Sequence, residues 1–233
     1  MRIGIDFDNT IAGYDGLFAR LAVQTGLLRV APCGGKRAVR DALRQNPGGE
    51  LAWQRLQALA YGAYMGDAEL IPGVGEFLAE CRATGVAVAI VSHKTRYAAA
   101  DPDMVDLPRA ARDWLRLKGF FAPDGFALPA DQVFFEPTRQ AKIERIAALG
   151  CSHFIDDLEE VFAEPGFPPS VEAILFDRAC TAPGPSSRCT VLPDWTRIRH
   201  HIFGASRAAA PVTHHGGIDA AAPRQPMAAA ASR

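Results

Sequence analysis

The sequence predicts an α/β fold: a Rossmann-like parallel sheet core with a small inserted α-helical cap. Three observations predict it. Short apolar runs recur at residues 2–5, 86–91, 133–135, 153–155 and 173–176. Between them lie segments whose apolar residues fall at helical spacing. Polar clusters follow several of these runs, or start the helix after one. Strands alternating with helices imply a parallel sheet with right-handed crossovers. In such a sheet, ligands bind at the carboxyl ends of the strands.

The first run sets the pattern. Ile3 and Ile5 flank Gly4, and the chain then breaks into Asp6, Phe7, Asp8, Asn9 and Thr10. A short apolar run of this kind suits a strand buried on both faces. Side chains alternate along an extended chain, so Asp6 and Asp8 point the same way. Two like charges held so close cost free energy unless a cation or a proton offsets them. A hard divalent cation with oxygen ligands, such as Mg²⁺, is the natural partner.

Residues 14–28, 36–45 and 50–64 have helical patterns. The first carries Leu17, Leu21, Leu27 and Leu28. The second has Val39 and Leu43. The third has Leu51, Leu56, Leu59 and Ala63, with Trp53 and Tyr61 nearby. Asn46-Pro47-Gly48-Gly49 separates the last two as a turn. Residues 14–68 are therefore expected to form a helical insertion, with 1–13 and 69–203 as the core. Arg29, Lys36, Arg37, Arg40 and Arg44 face a single acid, Asp41. That excess suits an anionic substrate, although each of these residues taken alone fits a solvated helix face better.

Beyond the insertion, Pro72-Gly73-Val74 opens a helix over about 73–84, with Gly85 as its stop. The run Val86–Val91 is a buried strand ending at Ser92-His93-Lys94-Thr95. Residues 96–106 are irregular, a helix covers 107–118, and a loop spans 119–131. Val133–Phe135 is a short strand. Thr138 caps a helix over 139–149, with Lys142 in its first turns. His153–Ile155 is a strand ending in Asp156-Asp157, and a helix with Leu158, Val161 and Phe162 follows. Ala173–Phe176 is a further buried strand, and 195–203 a last short helix. Residues 204–233 are rich in Ala, Pro, His and Arg without periodicity and are expected to be a disordered tail. His214-His215 within it reads as a solvated pair.

Composition narrows the function. The 233 residues are 48% hydrophobic and 22% charged, with a net charge of -1. That balance gives no global drive toward a nucleic acid polymer or an anionic membrane. No apolar run approaches the ~20 residues of a membrane span. Asp6 and Asp8 fall where a signal peptide would be uncharged. Five scattered cysteines without a CxxC pair argue for reduced thiols and against a zinc site. A cytoplasmic protein is expected; its oligomeric state is open.

Singly, each polar cluster has an ordinary explanation as a turn, a cap or an exposed lysine. Together and in this order they make a phosphoryl-transfer site. One carboxylate can attack phosphorus and form an aspartyl-phosphate. A second can protonate the leaving oxygen and later activate water. A hydroxyl and an ammonium can hold the phosphoryl oxygens, and Mg²⁺ can offset charge.

The order Asp6-Phe7-Asp8-Asn9-Thr10, Ser92, Lys142, Asp156-Asp157 resembles the haloacid dehalogenase (HAD) superfamily in its phosphatase-like branch. The resemblance covers residues 1–180. It implies Asp6 as nucleophile and metal ligand, and Asp8 as general acid/base with its backbone carbonyl on the metal. It implies Ser92 and Lys142 on the phosphoryl group, and Asp156 and Asp157 as metal ligands. Glu159 or Glu160 could support the metal. Thr10, His93, Lys36, Arg37 and Arg40 complete the expected substrate contacts. The 14–68 insertion is similar to the family's cap, which closes over the site and selects substrate. The expected partner is a small phosphorylated substrate.

Asp8 favours a phosphatase over a dehalogenase proper, which lacks this acid. A phosphomutase or nucleotidase on the same core remains open. The readings of another class are a phospho-accepting signalling domain and a catalytically idle interaction protein. The first needs its acceptor after a third strand, where Glu136-Pro137 stands; the second has no reason to keep four clustered carboxylates.

Overall fold

The computed structural model describes residues 1–180 and 188–208, with side chains through 204. The predicted core is present as a six-stranded, wholly parallel sheet. In chain order its strands are β1 (Arg2–Ile5), β4 (Ala87–His93), β5 (Val133–Glu136), β6 (His153–Asp156), β7 (Glu172–Phe176) and β8 (Thr190–Leu192). Their spatial order is β5-β4-β1-β6-β7-β8. The chain builds outward from β1 on one side, then crosses back to β6 and builds out on the other. The point of reversal, between β1 and β6, is where such sheets open a crevice for ligands.

Register carries this reversal to the side chains. Ile5 pairs with Ile90 on one side and Ile155 on the other. One residue further, Asp6 therefore lies beside Asp156, and the Asp6 N–H donates to the Ile155 carbonyl at 2.8 Å. Ile3, Ile5, Ile90, Phe154 and Ile155 are fully buried, as expected of central parallel strands. Gly4 is required by close packing: a Cβ there would lie 2.5 Å from the Phe154 ring.

The helices are α1 (Asp15–Gln24), α2 (Gly35–Arg44), α3 (Gly49–Tyr61), α4 (Val74–Ala83), α5 (Leu107–Leu117), α6 (Arg139–Ala148), α7 (Glu159–Ala163) and α8 (Trp195–Ala208). Thr138 caps α6 as predicted, its hydroxyl accepting from the Ala141 N–H at 3.1 Å. Gly73 enters α4 at φ 90°, tight against Trp195 of α8, and the indole donates to the Thr10 carbonyl at 3.0 Å. The α4 and α8 helices thereby close over the start of the site loop.

Helices α1, α2 and α3 pack on one another between two very short strands, β2 (Ala12–Gly13) and β3 (Glu69–Leu70). These pair antiparallel and tie the two ends of the helical segment together. Phe18, Leu21, Val39, Leu43, Trp53 and Leu56 fill its interior, with Phe18 stacked on Trp53 at 5.0 Å.

Several boundaries differ from expectation. Leu27 and Leu28 lie beyond α1, because the chain turns at Thr25 and Gly26, the latter at φ 73°. Ala63 lies beyond α3, and Leu51 is exposed because Trp53, Leu56 and Ala60 form the buried face. Ser92 and His93 sit within β4 rather than after it, pairing with Phe135 and Glu136. The expected tail starts too early: Gly204 continues α8, anchored by buried Ile202 and Phe203. Residues 209–233, with His214-His215, lie outside the described residues. Strands β2, β3 and β8 were not expected.

Candidate active site

The strand ends open into a cleft of about 880 Å³. Asp6, Asp8, Ser92, His93, Lys142 and Asp157 reach it from the sheet side. Lys36, Arg37 and Arg40 reach it from α2. Of the residues given catalytic, substrate or metal roles in the sequence, Thr10, Asp156, Glu159 and Glu160 do not line the cleft. Asp156 is fully buried behind it and touches the site through Lys142. Thr10 is the correction. Asn9 adopts φ 60°, and Ile11 and Ala12 both donate back to the Phe7 carbonyl. This tight reversal sends the Thr10 side chain into the core, where its hydroxyl has no partner among the described residues.

Asp6 is the centre of the network. Its Oδ1 accepts from Ser92 Oγ at 2.9 Å and from Lys142 Nζ at 2.6 Å. Its Oδ2 takes no hydrogen bond from the described residues. Lys142 also donates to Asp156 Oδ2 at 2.6 Å, and the Leu158 N–H donates to Asp156 Oδ1 at 3.0 Å. Burial opposes the Lys142 ammonium, but Asp6 and Asp156 outweigh it and hold the group charged above the usual lysine range.

Asp8 has a separate set of partners. Lys94 Nζ donates to both its oxygens, at 2.7 and 3.1 Å, and Tyr14 Oη donates to Oδ1 at 2.5 Å. Lys94 is buried and lies over the rings of Phe7, Tyr61 and Phe135. Burial and then the Asp8 charge push the Tyr14 hydroxyl well above its ordinary pKa, so it stays a donor. The two like charges expected from the sequence are thus met by two lysines. Phe7, between them, is fully buried against Trp114 and Phe135.

The acids also leave room for a metal. Carboxylate oxygens of Asp6, Asp156 and Asp157 lie within 4.8 Å of one another. Among the described residues Lys142 is the one ammonium hydrogen-bonded to these three carboxylates, and Asp157 accepts no hydrogen bond. Burial, then Asp6 and Asp156, push the Asp157 carboxyl well above its ordinary range. Burial pushes Asp156 up to about 7, against the pull of Lys142. A hard divalent cation would relieve both effects, so the donor set fits Mg²⁺. The Asp8 side chain is outside this set, being turned to Lys94 and Tyr14.

On the opposite wall Lys36 extends over the rings of Phe18 and Tyr61, at 5.7 and 5.4 Å. Burial lowers its pKa, against the pull of Asp8 and Asp157. Arg40 pairs with Asp41 at 2.9 Å, and His93 Nε2 lies 3.2 Å from the Pro137 carbonyl oxygen. Lys94, Tyr14 and Tyr61 were missed as site residues. For Lys94 a signal existed: it follows Ser92 by two along an extended chain, and so shares its face.

No family model and no curated protein matches the chain. Solved structures do. A HAD family hydrolase from Deinococcus radiodurans R1, with bound phosphate and sodium, aligns at 16% identity and TM-score 0.52, covering 88% of this chain and 96% of its own. The HAD-hydrolase YfnB from Bacillus subtilis, bound to magnesium, aligns at 13% identity and TM-score 0.52, covering 86% and 97%. Protein Tyrosine Kinase A of Mycobacterium tuberculosis aligns at 17% identity and TM-score 0.53, covering 86% and 97%. The chain therefore has the HAD fold.

Proposed function

We propose that this protein is a Mg²⁺-dependent phosphatase that hydrolyses a small phosphate monoester through an aspartyl-phosphate on Asp6. The carrying observation is the convergence of Ser92 and Lys142 on one Asp6 oxygen, while the other takes no hydrogen bond from the described residues. Fold alone does not select this reading, since one fold serves several chemistries. The side chains at the strand ends support it.

In this reading Asp6 Oδ2 attacks phosphorus and the bond to the leaving oxygen breaks. Asp8, as general acid, passes a proton to that oxygen. Water then gives a proton to Asp8 as its oxygen attacks the acyl phosphate. The bond to Asp6 breaks, releasing inorganic phosphate and restoring the carboxylate. Ser92 and Lys142 hold the phosphoryl oxygens, and Lys94 and Tyr14 orient Asp8. When bound, Mg²⁺ would be held by Asp6, Asp156 and Asp157 and would offset the charge of both reactants. Residues 14–68 act as a cap that walls the cleft from water. A cytoplasmic setting belongs to the same reading, supported by the scattered, odd set of cysteines. Among the described residues, no helix is long and apolar enough to cross a membrane.

The test is phosphate release from a panel of phosphorylated metabolites, with and without Mg²⁺. Metal-dependent release that Asp6→Asn abolishes supports the reading. Absence of release from the whole panel refutes it.

A further inference from the structure

The phosphoryl group already has Ser92 and Lys142, and Lys94 is taken up by Asp8. The cleft nevertheless holds further positive charge on its far wall. Lys36 has no ion pair among the described residues. Its stem is half-buried, and its ammonium lies against Phe18 and Tyr61. The charges of Asp8 and Asp157 act on it across the cleft without forming an ion pair, and a bound anion would recover more of the free energy its burial costs. Arg37, the next residue of α2, also lines the cleft and likewise has no ion pair among the described residues. Asp15, a further acid acting on Lys36, is otherwise engaged. Its Oδ1 accepts from the Lys36 backbone N–H at 2.8 Å, and its Oδ2 lies 3.8 Å from Arg178. Arg40, one turn on, is held by Asp41. The cleft therefore has an acidic end at the strand tips and a basic end at the start of α2.

We infer that Lys36 and Arg37 form a second anion subsite, so that the substrate is a phosphate monoester carrying a further carboxylate or phosphate at its distal end. This rests on the phosphatase reading above and narrows its substrate. The aliphatic or ring portion between the two anions would lie along Tyr61 and Trp53, which line the same wall. Lys36 and Arg37 differ in kind: the first is a half-buried point charge, the second an exposed fork.

The test uses alkyl phosphates of graded chain length ending in methyl, carboxylate, phosphate or ammonium. With Mg²⁺ present, kcat/KM should be higher for the anionic ends than for methyl by about tenfold or more, the worth of one charge-assisted hydrogen bond. Comparing the carboxylate and phosphate ends identifies which anion the site takes. Lys36→Met should remove most of that preference, and Arg37→Ala part of it. Arg37→Glu, at an exposed position that folding tolerates, should shift preference toward the ammonium end. The matching alkyl phosphonates, which are not hydrolysed, give the same ranking by calorimetric binding. Absence of any preference for an anionic end overturns the inference, as does a preference that survives both Lys36→Met and Arg37→Ala. Selective binding of anion-ended phosphonates without turnover of any ester would leave the subsite standing and refute the phosphatase.

Discussion

Lys94→Met tests how Asp8 is held. The ammonium that bridges both Asp8 oxygens has a side chain only 3% exposed, against 22% for Asp8. Removing one partner of a buried ion pair costs ~3–5 kcal/mol. Here water reaches Asp8 in part and Tyr14 still donates to it, so a loss of about 1–2 kcal/mol is expected. For a domain of this size that lowers Tm by roughly 3–6 °C. The catalytic effect should be larger and selective. A misplacement of about 1 Å can cost on the order of 10²-fold. The kcat/KM ratio reports steps through departure of the leaving group. An alkyl phosphate needs a proton from Asp8 in those steps, and a nitrophenyl phosphate does not. Lys94→Met should therefore lower kcat/KM by about 10–100-fold for the alkyl ester and far less for the aryl one. Equal losses on both esters would mean that Lys94 binds the phosphoryl group directly, and the positioning argument would fail.

Other predictions separate the remaining parts. Asp8→Asn should accumulate acid-stable, hydroxylamine-sensitive label from an activated phosphate donor, with turnover reduced by ~10²–10⁴-fold; Asp6→Asn should accumulate none. Metal affinity must be measured in both, and near-normal turnover of metal-loaded Asp6→Asn would sink the nucleophile assignment. Excess chelator should abolish phosphate release, and added Mg²⁺ should restore it; full activity in chelator would contradict the metal reading. Thr10→Val removes a buried hydroxyl without a partner and should raise stability by about 1 kcal/mol in urea titrations. Because Thr10 faces the core, its kcat/KM should change little, and a large fall would restore Thr10 to the substrate contacts. Gly4→Ala forces a methyl into the Phe154 ring and should cost about 1–3 kcal/mol, read as a lower midpoint in the same titration.

Much of the site was legible because its residues sit where periodicity breaks. Asp6, Asp8 and Asp156 each end or follow an apolar run, and parallel strands put their carboxyl ends on one edge. Lys142 was legible only from its place in the order of clusters, because by itself it fits an exposed helical lysine. Apart from Lys94, what escaped had no local signature. The β2 and β3 strands are two residues each, too short for alternation to show, and form because the insertion's ends must meet. Tyr14 and Tyr61 lie in segments with a helical pattern; only the fold shows that the Tyr14 hydroxyl donates to Asp8. Thr10 misled because a motif position says nothing of direction after Asn9 turns the chain at φ 60°.

The two lysines explain why a pair of acids two residues apart can do different work. Alternation along the strand would give Asp6 and Asp8 the same surroundings. The fold separates them by bringing a different cation to each from a different element. Lys142 comes from α6 and ties Asp6 to Asp156, at the sheet's point of reversal. Lys94 comes from the chain just beyond β4 and ties Asp8 to the Tyr61 face of the helical insertion. Asp6 is therefore fixed by the sheet and α6, without the insertion, as the proposed nucleophile needs. Asp8 is fixed partly by the insertion, through Tyr14 at the start of α1. A shift of the helical segment would move the contacts of Asp8 and leave those of Asp6 in place. Proton transfer would then be coupled to the closing of the cleft over the substrate, and attack at phosphorus would not.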